Sequence, residues 1–198
     1  METLEILEST NGKHVGYEIN ISCPNVKKGG MEFGIDCEMT AKLTETLRGI
    51  TERLLIMKLS PNVSDIESIG LSAENAGADA VSAINTVVGM SINAKTGMSD
   101  IFTTYGGLSG PAIKPIGLAA VHKLYQQLSI PIIGIGGIVS GEDAVEYMLA
   151  GATAVQVGTA NYRDAAIAQK IINDLSSYCE LNDVATLRDL IGKVKPYE

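Results

Sequence analysis

Pro131-Ile132-Ile133-Gly134-Ile135-Gly136-Gly137-Ile138 is a short apolar run that breaks into glycine, and Ala154-Val155-Gln156-Val157-Gly158-Thr159-Ala160-Asn161 repeats the pattern a little further on. Between them, Ser140 to Ala150 carries apolar residues at helical spacing. A strand, a helix and a second strand in that order predict a parallel pair joined by a right-handed crossover. The glycines then fall at two consecutive strand ends. In (β/α)8 barrels the loops after the last two strands often bind phosphate, because glycine lets backbone N–H groups approach the oxygens. The alternative is that these glycines only permit tight turns.

Working outward, the same alternation runs along the chain. Leu4, Ile6 and Leu7 among glutamates, then Asn11-Gly12, read as a helix end, so the chain is expected to start inside a structural unit. His14 to Ser22 is a predicted strand, Pro24 to Ile35 a loop and Glu38 to Ile50 a helix. Arg53 to Leu59 is a nearly continuous apolar run, as in strands buried on both faces. Ser64 to Ala76 is a predicted helix, with Ser64 as N-cap three residues before Glu67, the capping-box spacing, and Gly77 as its stop. Ala80 to Thr86 is a third strand.

A connection of about twenty residues follows, well above the usual loop length. Within it Ser91 to Gly97 reads as a turn or ribbon, and Gly106 to Pro111 leads into a helix from Ile116 to Leu128. After the strand Pro131–Gly137, the helix Ser140–Ala150 and the strand Ala154–Gly158, helices are expected over Ala165–Tyr178 and Leu187–Val194. The fold class is therefore α/β, a partial TIM (β/α)8 barrel with about five of eight units. A doubly wound open sheet is the alternative, but no GxGxxG lies between the first strand and its helix, and the polar candidates all fall at strand ends.

Composition narrows the function. A chain of 198 residues with 45% hydrophobic content can bury a core. The net charge of -8 argues against nucleic-acid or anionic-membrane surfaces, which need clustered Lys and Arg. No apolar run approaches the roughly 20 residues of a membrane span, and the first residues lack a signal-peptide layout, so the expected location is cytoplasmic. Three widely spaced cysteines, at positions 23, 37 and 179, form neither a disulfide framework nor a CxxC metal site, and free thiols are expected.

Cys23 sits at a strand end between Asn20 and Asn25, followed by Pro24. A free cysteine is often a small buried hydrophobe, but this position suits a reactive thiol equally. Lys58 lies inside an apolar strand, on the same face as Leu54 and Ile56; it either meets an anion or electron-rich group or snorkels to the rim. Asn85 and Thr86, also at a strand end, either hold a polar ligand or cap a turn. Cys37 and Cys179 read as structural, and His14 and His122 as solvent-facing residues without partners.

The segments Asn20-Ile21-Ser22-Cys23-Pro24-Asn25-Val26-Lys27, Lys58-Leu59-Ser60-Pro61-Asn62-Val63, Ile84-Asn85-Thr86 and Gly106 to Pro115, with Gly134 to Ile138 and Val157 to Asn161, resemble the dihydroorotate dehydrogenases over essentially the whole chain. The likeness is to the catalytic subunit of the NAD-linked class, lacking the N-terminal portion. It implies an FMN enzyme that oxidises dihydroorotate to orotate in pyrimidine synthesis. Cys23 matches the family's base, which takes a proton from carbon 5 while hydride leaves carbon 6 for the flavin. Asn20, Asn25, Asn85 and Thr86 match substrate-binding positions, Lys58 a flavin-ring contact, and Gly110, Gly136, Gly137, Gly158 and Thr159 the FMN phosphate region.

By the same resemblance, Pro24 to Gly34 corresponds to a mobile active-site loop. The implied partners are a second copy in a homodimer and an electron-transfer subunit carrying FAD and a 2Fe-2S cluster, which reduces NAD. Family members have three further strand and helix units before Asn20. Residues 1–198 are therefore expected to be the C-terminal part of a single FMN-binding barrel domain. The alternatives are an inactive fragment or a related FMN barrel acting on another pyrimidine.

Overall fold

A computed structural model describes residues 2–10, 12–21, 33–195 and 197 of the chain. Helix α1 (Glu2–Ser9) leads to β1 (Gly16–Asn20), α2 (Cys37–Arg48), β2 (Leu54–Lys58), α3 (Ile66–Asn75) and β3 (Ala80–Ala83). The chain continues through β4 (Val87–Gly89), β5 (Gly106–Leu108), α4 (Lys114–Tyr125), β6 (Ile132–Ile135), α5 (Gly141–Ala150), β7 (Ala154–Gln156) and α6 (Ile167–Leu181). Strands β1, β2, β3, β6 and β7 form one five-stranded parallel sheet in that order. β4 and β5 pair antiparallel as a separate ribbon. The long connection after β3 is thus largely this ribbon, which is wider than the Ser91–Gly97 turn expected from composition.

Strand alternation divides the side chains between two faces. Leu55, Met57, Val81 and Ile132 point toward the helices and are at most 2% exposed. The opposite face carries Leu54, Ile56 and Lys58, none of them fully buried. Asn20, Lys58, Ser82 and Ile133 stand beside one another in register on that inner face. The core therefore lies between sheet and helices.

β1 and β7 are the two edges of the sheet, yet Gln156 Nε2 donates to Glu18 Oε2 at 2.6 Å. Side chains from opposite edges meet only if the sheet curls, so the five strands form an arc of barrel wall rather than an open doubly wound sheet.

Helix ends follow side-chain chemistry. Asp65, not Ser64, caps α3, its carboxylate accepting the Ser68 N–H; an ionised carboxylate is the stronger acceptor, and it moves the start of the helix one residue on. Ser140, the first residue of the helix expected over Ser140–Ala150, caps α5 by accepting the Asp143 N–H. The expected closing helix is only a 3-10 turn, Leu187–Leu190. Both histidines also differ from expectation. His14 Nε2 lies 2.5 Å from the Tyr17 hydroxyl, and Tyr17 donates to Glu8. Thr51 and Arg53 also bind Glu8, so this cluster ties α1 to the foot of β1 and β2. His122 is half-buried on α4, with Nδ1 unpartnered. Among the described residues, no helix is long and apolar enough to cross a membrane.

Candidate functional site

The carboxyl ends of the strands open onto a cavity of about 290 Å³, lined by the ends of β2, β3, β6 and β7 and by the turn before α4. Glycine is required at its back wall. Gly110 has φ +88, Gly136 φ +132 and Gly137 φ +70, conformations that favour a residue without Cβ. A Cβ at Gly137 would lie 2.8 Å from the Gly110 carbonyl oxygen, so these two loops touch. Gly158 differs: a Cβ there would meet nothing within 4 Å and would project into open space. The Thr159 hydroxyl donates to Ser109 Oγ at 2.8 Å, tying the loop after β7 to the one after β5.

Two short helical turns start at this wall, Pro111–Ile113 after Gly110 and Thr159–Tyr162 after Gly158, and neither has a side-chain cap. Pro111 has no N–H and the Ile113 N–H bonds the Gly110 carbonyl, so in the first turn the Ala112 N–H is the group at the exposed start, while the second starts with the Thr159 and Ala160 N–H groups; the first turn is continued by the twelve-residue α4. Arg163 lines the same cavity, and among the described residues no acidic side chain forms an ion pair with it. Lys114 is not available to a ligand, because its ammonium is bound by Asp143 at 2.6 Å and Glu146 at 2.9 Å. The hydrogen bonds it donates to these carboxylates raise its pKa. Burial pushes the Asp143 carboxyl up, but bonds from Lys114, Val139 and Ser140 outweigh this and hold it below its ordinary value.

On the inner face, Lys58 meets an anion. Its ammonium lies 3.5 Å from Glu18 Oε1, and Glu18 is held in turn by Gln156. Asn85 Nδ2 donates to Asn20 Oδ1 at 3.0 Å, bringing together side chains from the ends of β1 and β3. Asn62 supports this corner: its amide donates to the Thr86 carbonyl at 3.0 Å and accepts the Val88 N–H at 2.9 Å. Thr86 packs over Gly107, where a Cβ would lie 2.3 Å from its hydroxyl.

Lys58, Asn85, Thr86, Gly110, Gly136, Gly137, Gly158 and Thr159 thus line one cavity, with Asn20 bonded to Asn85. Cys23 and Asn25 lie outside the described residues, as does most of the loop Pro24 to Gly34. The residues flanking that segment adjoin at the end of β1, since a Cβ at Gly34 would lie 2.8 Å from the Ile21 carbonyl oxygen. Sequence reasoning missed Glu18, Gln156, Ser109 and Arg163. A charged or amide residue at an inward strand position was the available signal for the first two, and a cation just past a glycine turn for Arg163. Among the described residues, no cluster of three or more His, Cys, Asp or Glu could hold a metal.

A sequence profile of the family described as Dihydroorotate dehydrogenase matches residues 3–179. The chain belongs to the dihydroorotate dehydrogenase family. Among dihydroorotate dehydrogenase sequences, it is 49% identical over 180 residues to the Geotalea daltonii protein named dihydroorotate dehydrogenase B (NAD(+)), catalytic subunit, covering 91% of this chain and 59% of that one. Proteins of the same name from Phocaeicola vulgatus and Porphyromonas gingivalis are 44% and 48% identical over 98% and 89% of this chain, and over 64% and 58% of their own lengths. The chain spans about three fifths of the length of these curated relatives. A crystal structure of the Eimeria tenella enzyme in complex with ferulenol superposes with TM-score 0.75 at 23% identity, covering 90% of this chain and 54% of that one. That likeness bears on the fold.

Proposed function

We propose that this chain forms the phosphate-binding side and part of the substrate side of a flavin site, within one FMN-binding barrel domain. The activity is oxidation of dihydroorotate to orotate. The observation that carries this reading is the glycine-walled cavity at the ends of β6 and β7, with open space in front of Gly158 and Arg163 on its wall. Such a wall fits a phosphate: backbone N–H groups, uncapped helical turns and a cation, with no Cβ to block approach. Gly110, Gly136, Gly137, Gly158 and Thr159 would hold the phosphate of FMN, and Lys58 the edge of its ring. The bound flavin supplies a hydride acceptor.

The remaining work falls to the chain's own side chains. Asn20, Asn25, Asn85 and Thr86 bind the pyrimidine ring and carboxylate, with the Asn20–Asn85 bond fixing the spacing of two of them. Cys23, as thiolate, takes the proton from carbon 5 of dihydroorotate. A thiol of ordinary pKa, about 8.5, serves as base in alkaline solution, or nearer neutrality where its surroundings lower that value. Glu18 and Gln156 keep the Lys58 ammonium on the inner face.

The names of the relatives support a further proposal. The protein acts as the catalytic subunit of an NAD-linked enzyme, as a homodimer. It passes electrons to a second subunit carrying FAD and a 2Fe-2S cluster.

The test is direct. The natural protein is expected to purify yellow, to bleach when dihydroorotate is added without an acceptor, and to lose turnover on Cys23→Ala. A protein that stays colourless after FMN is added would remove the flavin site, and undiminished turnover in the variant would remove Cys23 as base.

A further inference from the structure

The loop that carries Gly136 and Gly137 is held from behind by α5. The Tyr147 hydroxyl on α5 donates to the Gly136 carbonyl at 2.8 Å and lies 3.3 Å from that of Ile135. One turn earlier, Asp143 Oδ2 accepts the Val139 N–H at 2.8 Å while Oδ1 accepts the Lys114 ammonium. Neither Asp143 nor Tyr147 lines the cavity, so both can act on a ligand only through the loop.

Tyr147 is wholly buried, and two glycines make room for it. A Cβ at Gly117 would lie 1.9 Å from its hydroxyl, and one at Gly134 would lie 2.4 Å from its ring. Packing alone would be served by phenylalanine; the hydroxyl is there to be used. Burial and the neighbouring carboxylates push its pKa far above the ordinary range, so it remains a donor. In a trans peptide the C=O of one residue and the N–H of the next point in opposite directions. Drawing the Gly136 carbonyl toward α5 therefore turns the Gly137 N–H away from α5, and both glycines line the cavity.

We propose that Tyr147 and Asp143 are positioning residues that hold the Gly136–Val139 backbone in its anion-binding conformation. They thereby set a preference for a phosphorylated flavin over the unphosphorylated one. This rests on the reading of the cavity as a phosphate site. The test is a titration of the flavin-free natural protein with FMN and with riboflavin, followed by flavin fluorescence. Tyr147→Phe keeps the ring and removes one hydrogen bond, and is expected to weaken FMN binding about tenfold while leaving riboflavin unchanged. An equal loss for both ligands, or no loss for either, overturns the proposal. A natural protein that binds FMN and riboflavin equally overturns instead the phosphate reading beneath it. Should Tyr147→Phe fail to fold, Asp143→Asn carries the same comparison, because it weakens the hold on the same loop from one turn away.

Discussion

Two glycines on the same wall separate binding from stability. Gly158 has an ordinary negative φ of -101 and no atom within 4 Å of a built Cβ, so Gly158→Ala is expected to leave stability within about 0.5 kcal/mol. The added methyl stands in the cavity, and FMN affinity should fall several-fold. Gly137→Ala places a Cβ at φ +70 against the Gly110 carbonyl and is expected to cost about 1–3 kcal/mol of stability as well as affinity. Thermal unfolding and flavin titration on both variants check the contrast; equal stability losses would contradict it. Arg163, with no acidic partner among the described residues, is expected to contribute a charge interaction that salt screens. Arg163→Ala should weaken FMN binding and flatten its dependence on ionic strength, measured by titration at two salt concentrations.

The element that organises the wall is α5, and its hold has a pH signature. The Asp143 carboxyl is held below the ordinary aspartate value, so the folded protein binds its proton more weakly than the unfolded chain. Its contribution is full above the unfolded value of about 3.9 and is lost as pH falls through the lower folded value. Lys114, raised by its carboxylate partners, contributes fully below its unfolded value and loses that contribution as pH rises through its folded one. Asp143→Asn should therefore be less stable than the natural protein at pH 6, with the gap narrowing toward pH 3, as read by urea unfolding. A gap that widened on acidification would contradict the assignment. The contact between α4 and α5 is tighter still. Gly117→Ala meets the Tyr147 hydroxyl at 1.9 Å, and overpacking there is expected to cost about 1–3 kcal/mol or more.

At the scale of the whole molecule, the sheet is buried on both faces at its middle strand β3 and opens toward its edges. The helix-facing side chains of β2, β3 and β6 named above are sealed, while on the inner face Leu54 is 50% exposed, and β1 and β7 stand as edges among the described strands. Exposed edges and apolar surface favour association between copies. The 198-residue chain expressed by itself is therefore expected to bind a hydrophobic dye and to elute from size-exclusion chromatography with light scattering as more than a monomer. A monomer that binds no dye would show that the arc is closed in solution.

Much of this architecture was legible in the residues themselves. Alternating apolar runs and helical spacings placed every strand of the sheet, because periods of 2 and 3.6 are local properties. The same alternation put Lys58 on the inner face, and glycine at successive strand ends marked the wall of the cavity. Partners were not legible. The Glu18–Gln156 bond joins residues 138 apart in sequence, and the Tyr147 hydroxyl finds the Gly136 carbonyl only once α5 has packed behind β6. Sequence determined which elements form and which face each side chain takes, since backbone sterics and hydrophobic periodicity act over a few residues. Only the tertiary structure decided that the sheet curls until side chains of its two edge strands meet and that α5 holds the loop after β6, because those contacts depend on how distant elements pack.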